Sequence, residues 1–116
     1  MANTLEKIIQ DKKETLNLIK KNNSLDSLEK KIKSLNFFNN FKKTIQNNKG
    51  ISLISEIKKA SPSAGVLVKN FNHLDIAKMY IDNGSTCLSV LTEEKHFLGK
   101  LDYITEIKNK FKIPVL

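Results

Sequence analysis

A chain of 116 residues with 40% hydrophobic and 28% charged side chains has the length and balance of one globular core. It is short for a complete eight-fold α/β barrel, which commonly takes about 250 residues. No apolar run approaches the roughly 18–20 residues of a membrane span, and the first residues lack the basic-then-apolar pattern of a secretory signal. The formal charge is +8, yet all 20 basic residues are lysine. Arginine, the preferred side chain for bidentate phosphate and guanine contacts, is absent, which argues against a specific nucleic-acid partner. Lysine, asparagine and isoleucine are the residues of AT-rich codons, so the charge has a source other than a binding surface. The single cysteine, Cys87, excludes an internal disulfide framework and suits a reducing cytoplasm.

Residues 1–48 carry a helical period. Leu5, Ile8, Ile9, Leu16 and Ile19 recur at steps of three and four, and Asn3 with Glu6 forms a capping-box pair. Asn22-Asn23-Ser24 interrupts this helix, and Ser24 is placed to cap the next, whose stripe is Leu25, Leu28, Ile32 and Leu35. A shorter helical piece is expected to carry Phe37, Phe38, Phe41 and Ile45 and to end near Asn47–Gly50. The segment reads as an amphipathic layer that packs on something larger.

The texture changes at residue 51. Ile51–Ile57 is a β-branched run and predicts a strand; a loop with Ser61-Pro62-Ser63 and Gly65 follows. Asn72 caps a helix with Leu74, Ile76, Ala77, Tyr80 and Ile81 that stops at Asn83-Gly84. Thr86–Leu91 predicts a second strand. A polar loop from Thr92 to Gly99 leads to a helix with Leu101, Ile104 and Ile107, and Ile113-Pro114-Val115-Leu116 begins a third strand. Strands alternating with helices at roughly thirty residues indicate right-handed βαβ units and a parallel sheet. A sheet of three such strands leaves an open edge, so the isolated chain is expected to aggregate or to stay loosely folded.

Within this frame Glu56 and Lys58 stand two apart and share a face at the carboxyl end of the first strand, where parallel α/β folds place their sites. An exposed pair of this kind contributes little, whereas a partly desolvated pair would suit a polar substrate; the sequence leaves both readings open. Ser61–Gly65 is a stiff turn with hydroxyl and backbone donors, able to hold an anion or to serve as a plain turn. Phe97, apolar within a polar loop, would wall a ligand site or cover the end of the sheet. His73 and His96 have no ligand partners at metal spacing, and Cys87 sits where a core residue is expected. No Walker-type or GxGxxG spacing offers a nucleotide site.

Ile54–Gly65, containing Glu56-Ile57-Lys58-Lys59-Ala60-Ser61-Pro62-Ser63, resembles the first-strand motif of the indole-3-glycerol-phosphate synthases. Leu88–Phe97 resembles the motif after their second strand, Ile113–Leu116 the start of their third, and Leu5–Ile9 with Lys12–Glu14 their amino-terminal helical extension. The resemblance implies a (β/α)8 TIM barrel, of which residues 49–116 would form the first βαβαβ portion and residues 1–48 the helical extension. It implies a cytoplasmic enzyme of tryptophan biosynthesis, a carboxy-lyase using no cofactor and no metal. The substrate would be 1-(2-carboxyphenylamino)-1-deoxyribulose 5-phosphate, a sugar phosphate bearing an anthranilate group, which closes its indole ring with loss of carbon dioxide and water. By the same resemblance Lys58 lies against the substrate's anionic groups, Glu56 organises that lysine, and Ser61, Pro62 and Phe97 line the anthranilate end. Association with other tryptophan-pathway domains is also compatible with the family. Its general-acid lysine, general-base glutamate and phosphate loops fall beyond Leu116, so the 116 residues alone are expected to be inactive. Two competing expectations are a small basic binding module and a related phosphoribosyl-type barrel; the Glu-x-Lys-x-x-Ser-Pro-Ser arrangement argues against the latter.

Overall fold

The computed structural model describes residues 3–116, and the chain divides into two compact units, Met1–Phe38 and Asn39–Leu116. In the first, helix α1 (Thr4–Asn22) opens with the expected capping box: the Asn3 side chain accepts from the Glu6 amide at 2.8 Å, and the Asn3 amide donates to the Glu6 carboxylate at 3.1 Å. Helix α2 (Leu25–Lys33) starts at Ser24, whose hydroxyl accepts from the Ser27 amide at 3.2 Å. Neither helix contains a buried residue.

The second unit begins with a short helix, α3 (Phe41–Asn47), capped by Asn40. Phe37 and Phe38 precede it in irregular backbone and are exposed, so the helical piece expected to carry them starts later. The asparagine side chain at position 40 gives the physical reason: it accepts from the Lys43 amide and so sets the first turn there. The first strand is also shorter than its apolar run. Strand β1 is Ile54–Ile57, while Ile51 is 97% exposed and unpaired in any ladder.

After β1 the backbone forms a small hairpin where a loop is expected. Strands β2 (Ala60–Ser61) and β3 (Gly65–Val66) pair antiparallel, Ala60 opposite Val66 and Ser61 opposite Gly65. Gly65 takes a φ of 67°, the left-handed conformation that closes a three-residue hairpin loop. Helix α4 (His73–Asp82) is capped by Asn72, whose side chain accepts from the amides of Leu74 and Asp75. It ends at Asn83, and Gly84, with a φ of 91°, turns the chain into strand β4 (Cys87–Val90). Helix α5 (Asp102–Lys110) follows the polar loop.

Strands β1 and β4 are parallel neighbours, with Ile54 opposite Cys87 and Ile57 opposite Val90. Residues 113–116 add to the free side of β4 through one parallel bridge, Leu88 to Val115. The Leu116 amide donates to the Leu88 carbonyl at 2.8 Å, and the Val90 amide donates to the Leu116 carbonyl at 2.9 Å. The expected third strand is thus present only as this bridge.

Ile57, Leu88, Val90 and Ile113 from the sheet join Ala77 of α4 and Ile107 of α5 in one buried cluster, flanked by Leu74, Tyr80, Tyr103 and Ile104. Full burial of a side chain the size of Ile57, Leu88 or Ile107 contributes about 1.5–3 kcal/mol. At the start of α4, His73 stacks on Tyr103 of α5 with ring centroids 4.3 Å apart and bonds Glu106 at 2.5 Å, which ties the two helices side by side. Cys87 is fully buried, and burial pushes its thiol above the usual range, so it behaves as a small apolar core residue. Among the described residues no helix is long and apolar enough to cross a membrane.

Leu88 has no exposed surface and stands at the centre of the sheet. Leu88→Ala is expected to lower unfolding stability by about 2–5 kcal/mol, read from urea midpoints, because the removed atoms leave a cavity between sheet and helices.

Candidate functional site

The parallel pairing of β1 and β4 brings their carboxyl ends to one edge of the sheet, so the hairpin after β1 and the loop after β4 leave side by side. Two bonds to main-chain carbonyls fix this edge. The Leu91 amide donates to the Ile57 carbonyl at 3.1 Å, and the Tyr80 hydroxyl, reaching from α4, donates to the Glu56 carbonyl at 3.1 Å. With the backbone held from both sides, the Glu56 and Lys58 side chains emerge in a defined place.

Lys58 Nζ lies 3.0 Å from Glu56 Oε1, which confirms that the two side chains share a side although the ladder itself ends at Ile57. The Lys58 side chain is 33% exposed and that of Glu56 49%. Such a pair contributes at most about 1 kcal/mol to stability. The face of β1 that carries Glu56 also carries Ile54, itself half exposed, opposite the face that packs on the helices.

Ser61 sits at the last pair of the hairpin. Its hydroxyl accepts from the Ala64 amide at 3.2 Å and lies 3.4 Å from the Ser63 hydroxyl, so it braces the turn. Pro62 is exposed at the tip. The hairpin is anchored at its base, where the Leu67 and Val68 amides donate to the Lys59 carbonyl at 2.9 and 3.4 Å.

The loop after β4 is more tightly built than its polar composition suggests. The Glu93 carboxylate accepts from three consecutive amides, Lys95 at 3.1 Å, His96 at 2.6 Å and Phe97 at 3.1 Å. Its carbonyl accepts from the Gly99 amide at 2.8 Å. Leu98 takes a φ of 52°, and a Cβ on Gly99 would meet the Leu91 carbonyl oxygen at 2.1 Å. Only glycine allows that approach. Phe97 is therefore half-buried on a fixed turn. A separate cavity of about 530 Å³ is lined by Lys59, Glu94, Leu98, Gly99, Lys100, Leu101 and Asp102, and none of Glu56, Lys58, Ser61, Pro62 or Phe97 lines it.

The structure thus joins Glu56 to Lys58 directly and brings the segments bearing Ser61, Pro62 and Phe97 to the same end of the sheet. Three supporting residues were not singled out by the sequence. Tyr80 reads there as one more apolar position of a helix, Glu93 as one of several loop charges, and Gly99 as a helix-flanking glycine. The spacing of Glu93 to the residues two, three and four further on is that of a side chain capping a turn, and was the available signal.

Gly99→Ala is expected to lower stability by about 1–3 kcal/mol and to shift the backbone amide signals of residues 93–99, since main chain must move to admit the methyl group. Tyr80→Phe is expected to lower stability by about 0.5–1.5 kcal/mol and to move the amide signals of Glu56–Lys58, because the Glu56 carbonyl loses its donor. Both are read by urea unfolding together with amide NMR spectra.

Residues 5–116 match the family model described as indole-3-glycerol phosphate synthase. The indole-3-glycerol phosphate synthase of Desulforamulus reducens is 45% identical over 112 residues, covering 97% of this chain and 42% of the relative. That of Aliarcobacter butzleri is 42% identical over 115 residues, covering 97% and 44%. That of Chlorobaculum tepidum is 54% identical over 67 residues, covering 58% and 26%. The chain spans less than half the length of these curated relatives. With a family match along nearly its whole length, the chain belongs to the indole-3-glycerol phosphate synthase family.

Proposed function

We propose that these residues form one wall of the active site of an indole-3-glycerol-phosphate synthase. Residues 49–116 would be the first βαβαβ portion of a (β/α)8 barrel, and residues 1–48 its helical extension. The observation that carries the reading is the Glu56–Lys58 pair at the carboxyl end of β1, beside the loop that fixes Phe97, in a chain of this family. The half-exposed face of β1 is what the interior wall of such a barrel would present before further strands enclose it.

In this role the substrate is 1-(2-carboxyphenylamino)-1-deoxyribulose 5-phosphate, and the product is indole-3-glycerol phosphate, formed with loss of carbon dioxide and water. Ring closure develops charge at a ketone oxygen beside an anthranilate carboxylate. A lysine ammonium is suited to both, and a carboxylate 3.0 Å away keeps it aimed. Ser61, Pro62 and Phe97 would supply a hydroxyl and two apolar surfaces for the anthranilate end. The reaction asks for proton transfers rather than redox or hydride chemistry, so no cofactor is assigned.

A proton donor at the carbonyl and a base for dehydration are both required, and Lys58 with Glu56 offers one ion pair for the two tasks. The 116 residues by themselves are therefore assigned substrate contacts without turnover. We place the protein in the cytoplasm, with association to other tryptophan-pathway domains compatible with this role and no specific nucleic-acid partner.

The test uses the purified 116-residue chain and the substrate itself. Expected are no indole-3-glycerol phosphate by its fluorescence, and weak substrate binding that falls by about tenfold in Lys58→Ala, as befits one charge-assisted contact. Enzyme-like rates would overturn the assignment of contacts without turnover. Binding unchanged by Lys58→Ala would overturn the role of the pair.

A further inference from the structure

Three amides of its own loop gather on the Glu93 carboxylate. One oxygen takes the Lys95 amide and the other takes those of His96 and Phe97, while the main chain of the same residue closes the loop onto Gly99. A carboxylate that gathers three successive amides imposes a tight turn on a segment with no helix or strand of its own. The turn is not a comfortable one. Leu98 sits in the left-handed region, and Gly99 is pressed against the Leu91 carbonyl. A side chain that compensates this strain decides where the loop goes.

We propose that Glu93 is a positioning residue, whose carboxylate fixes the turn after β4 and thereby the place of Phe97 at the carboxyl end of the sheet. The arrangement is local and directional. Phe97 is the last of the three amides bound, so the residue is placed on the turn by its own backbone nitrogen. Loss of the carboxylate would leave Gly99 as the remaining tie from this residue, through its carbonyl. The consequence for an aromatic ligand rests on the reading of Phe97 given above; the positioning itself does not.

The ionisation of Glu93 agrees with the geometry. Burial pushes the carboxyl up, but the amides of His96, Lys95 and Phe97, with the charge of His96, push it down further, and the net lies below the ordinary value of 4.5. With the folded value depressed, the contribution of the carboxylate is complete above the unfolded value and is lost as pH falls through the folded one.

The experiment follows the 116-residue chain by NMR in dilute, low-salt solution, where its charge of +8 opposes pairing at the open sheet edge. In the wild type, the amide signals of Lys95, His96 and Phe97 are expected to share one titration with a midpoint below 4.5, absent in Glu93→Gln. In Glu93→Ala, exchange of these amides is expected to quicken by at least about tenfold and the Phe97 ring signals to shift, while the amides of Leu88 and Ile107 stay protected. Unchanged Phe97 signals in Glu93→Ala, or no shared titration in the wild type, would overturn the proposal; the second readout needs no variant and stands even if a variant fails to fold. Free anthranilate is then added as a probe. Wild-type Phe97 ring signals that move with anthranilate, and no longer do so in Glu93→Ala, extend the positioning to ligand binding. A wild type that ignores anthranilate while the loop results hold removes the ring-binding role of Phe97 and leaves that of Glu93 intact.

Discussion

The register of β1 against β4 is the constraint from which the second unit follows. Placing Ile57 beside Val90 and Ser55 beside Leu88 gives the sheet one apolar face, which α4 and α5 cover through Ala77 and Ile107. Parallel strands cannot be joined by a tight turn, so that same pairing requires the α4 crossover and sends both strands out at the same edge. Slipping the register by one residue would carry Ile57 to the open face and bring Glu56 toward the helices. The burial of one isoleucine and the exposure of its neighbouring glutamate are thus two results of one alignment.

The helical boundaries were the most legible part of the sequence. Asn3, Ser24 and Asn72 each announce a helix by chemistry that acts within three residues, and each caps as expected. The strands were less legible. An apolar run reads as a strand from Ile51, yet pairing requires a neighbour, and β4 reaches back only as far as Ile54. The β2–β3 hairpin was not visible at all, because two-residue strands have no period to detect and depend on Gly65 turning the chain. Phe37 and Phe38 follow a helical spacing without being helical, since the cap at Asn40 acts closer to hand than the spacing does.

For the site, the sequence supplied the residues that face outward and missed those that hold them. Glu56 and Lys58 could be paired from strand geometry alone, and their contact bears that out. Tyr80 could not be connected to Glu56 from sequence, because the bond spans 24 positions and joins a side chain to a main-chain carbonyl. Glu93 lies closer to what it supports, but a carboxylate serving three amides looks like any other loop charge until the turn is formed. Residues that touch a ligand tend to be conspicuous in kind, whereas residues that place them are defined by direction, which spacing conveys poorly.

The bond from Tyr80 to the Glu56 carbonyl has a bearing on how far the end of β1 depends on the residue at position 56. The tyrosine grips the backbone at position 56 and not the carboxylate, so the support is indifferent to which side chain stands there. A different residue could project from the same point without loosening the end of β1. Backbone support and side-chain identity are thereby uncoupled at this position, so the end of β1 keeps its tie to α4 whichever side chain projects there.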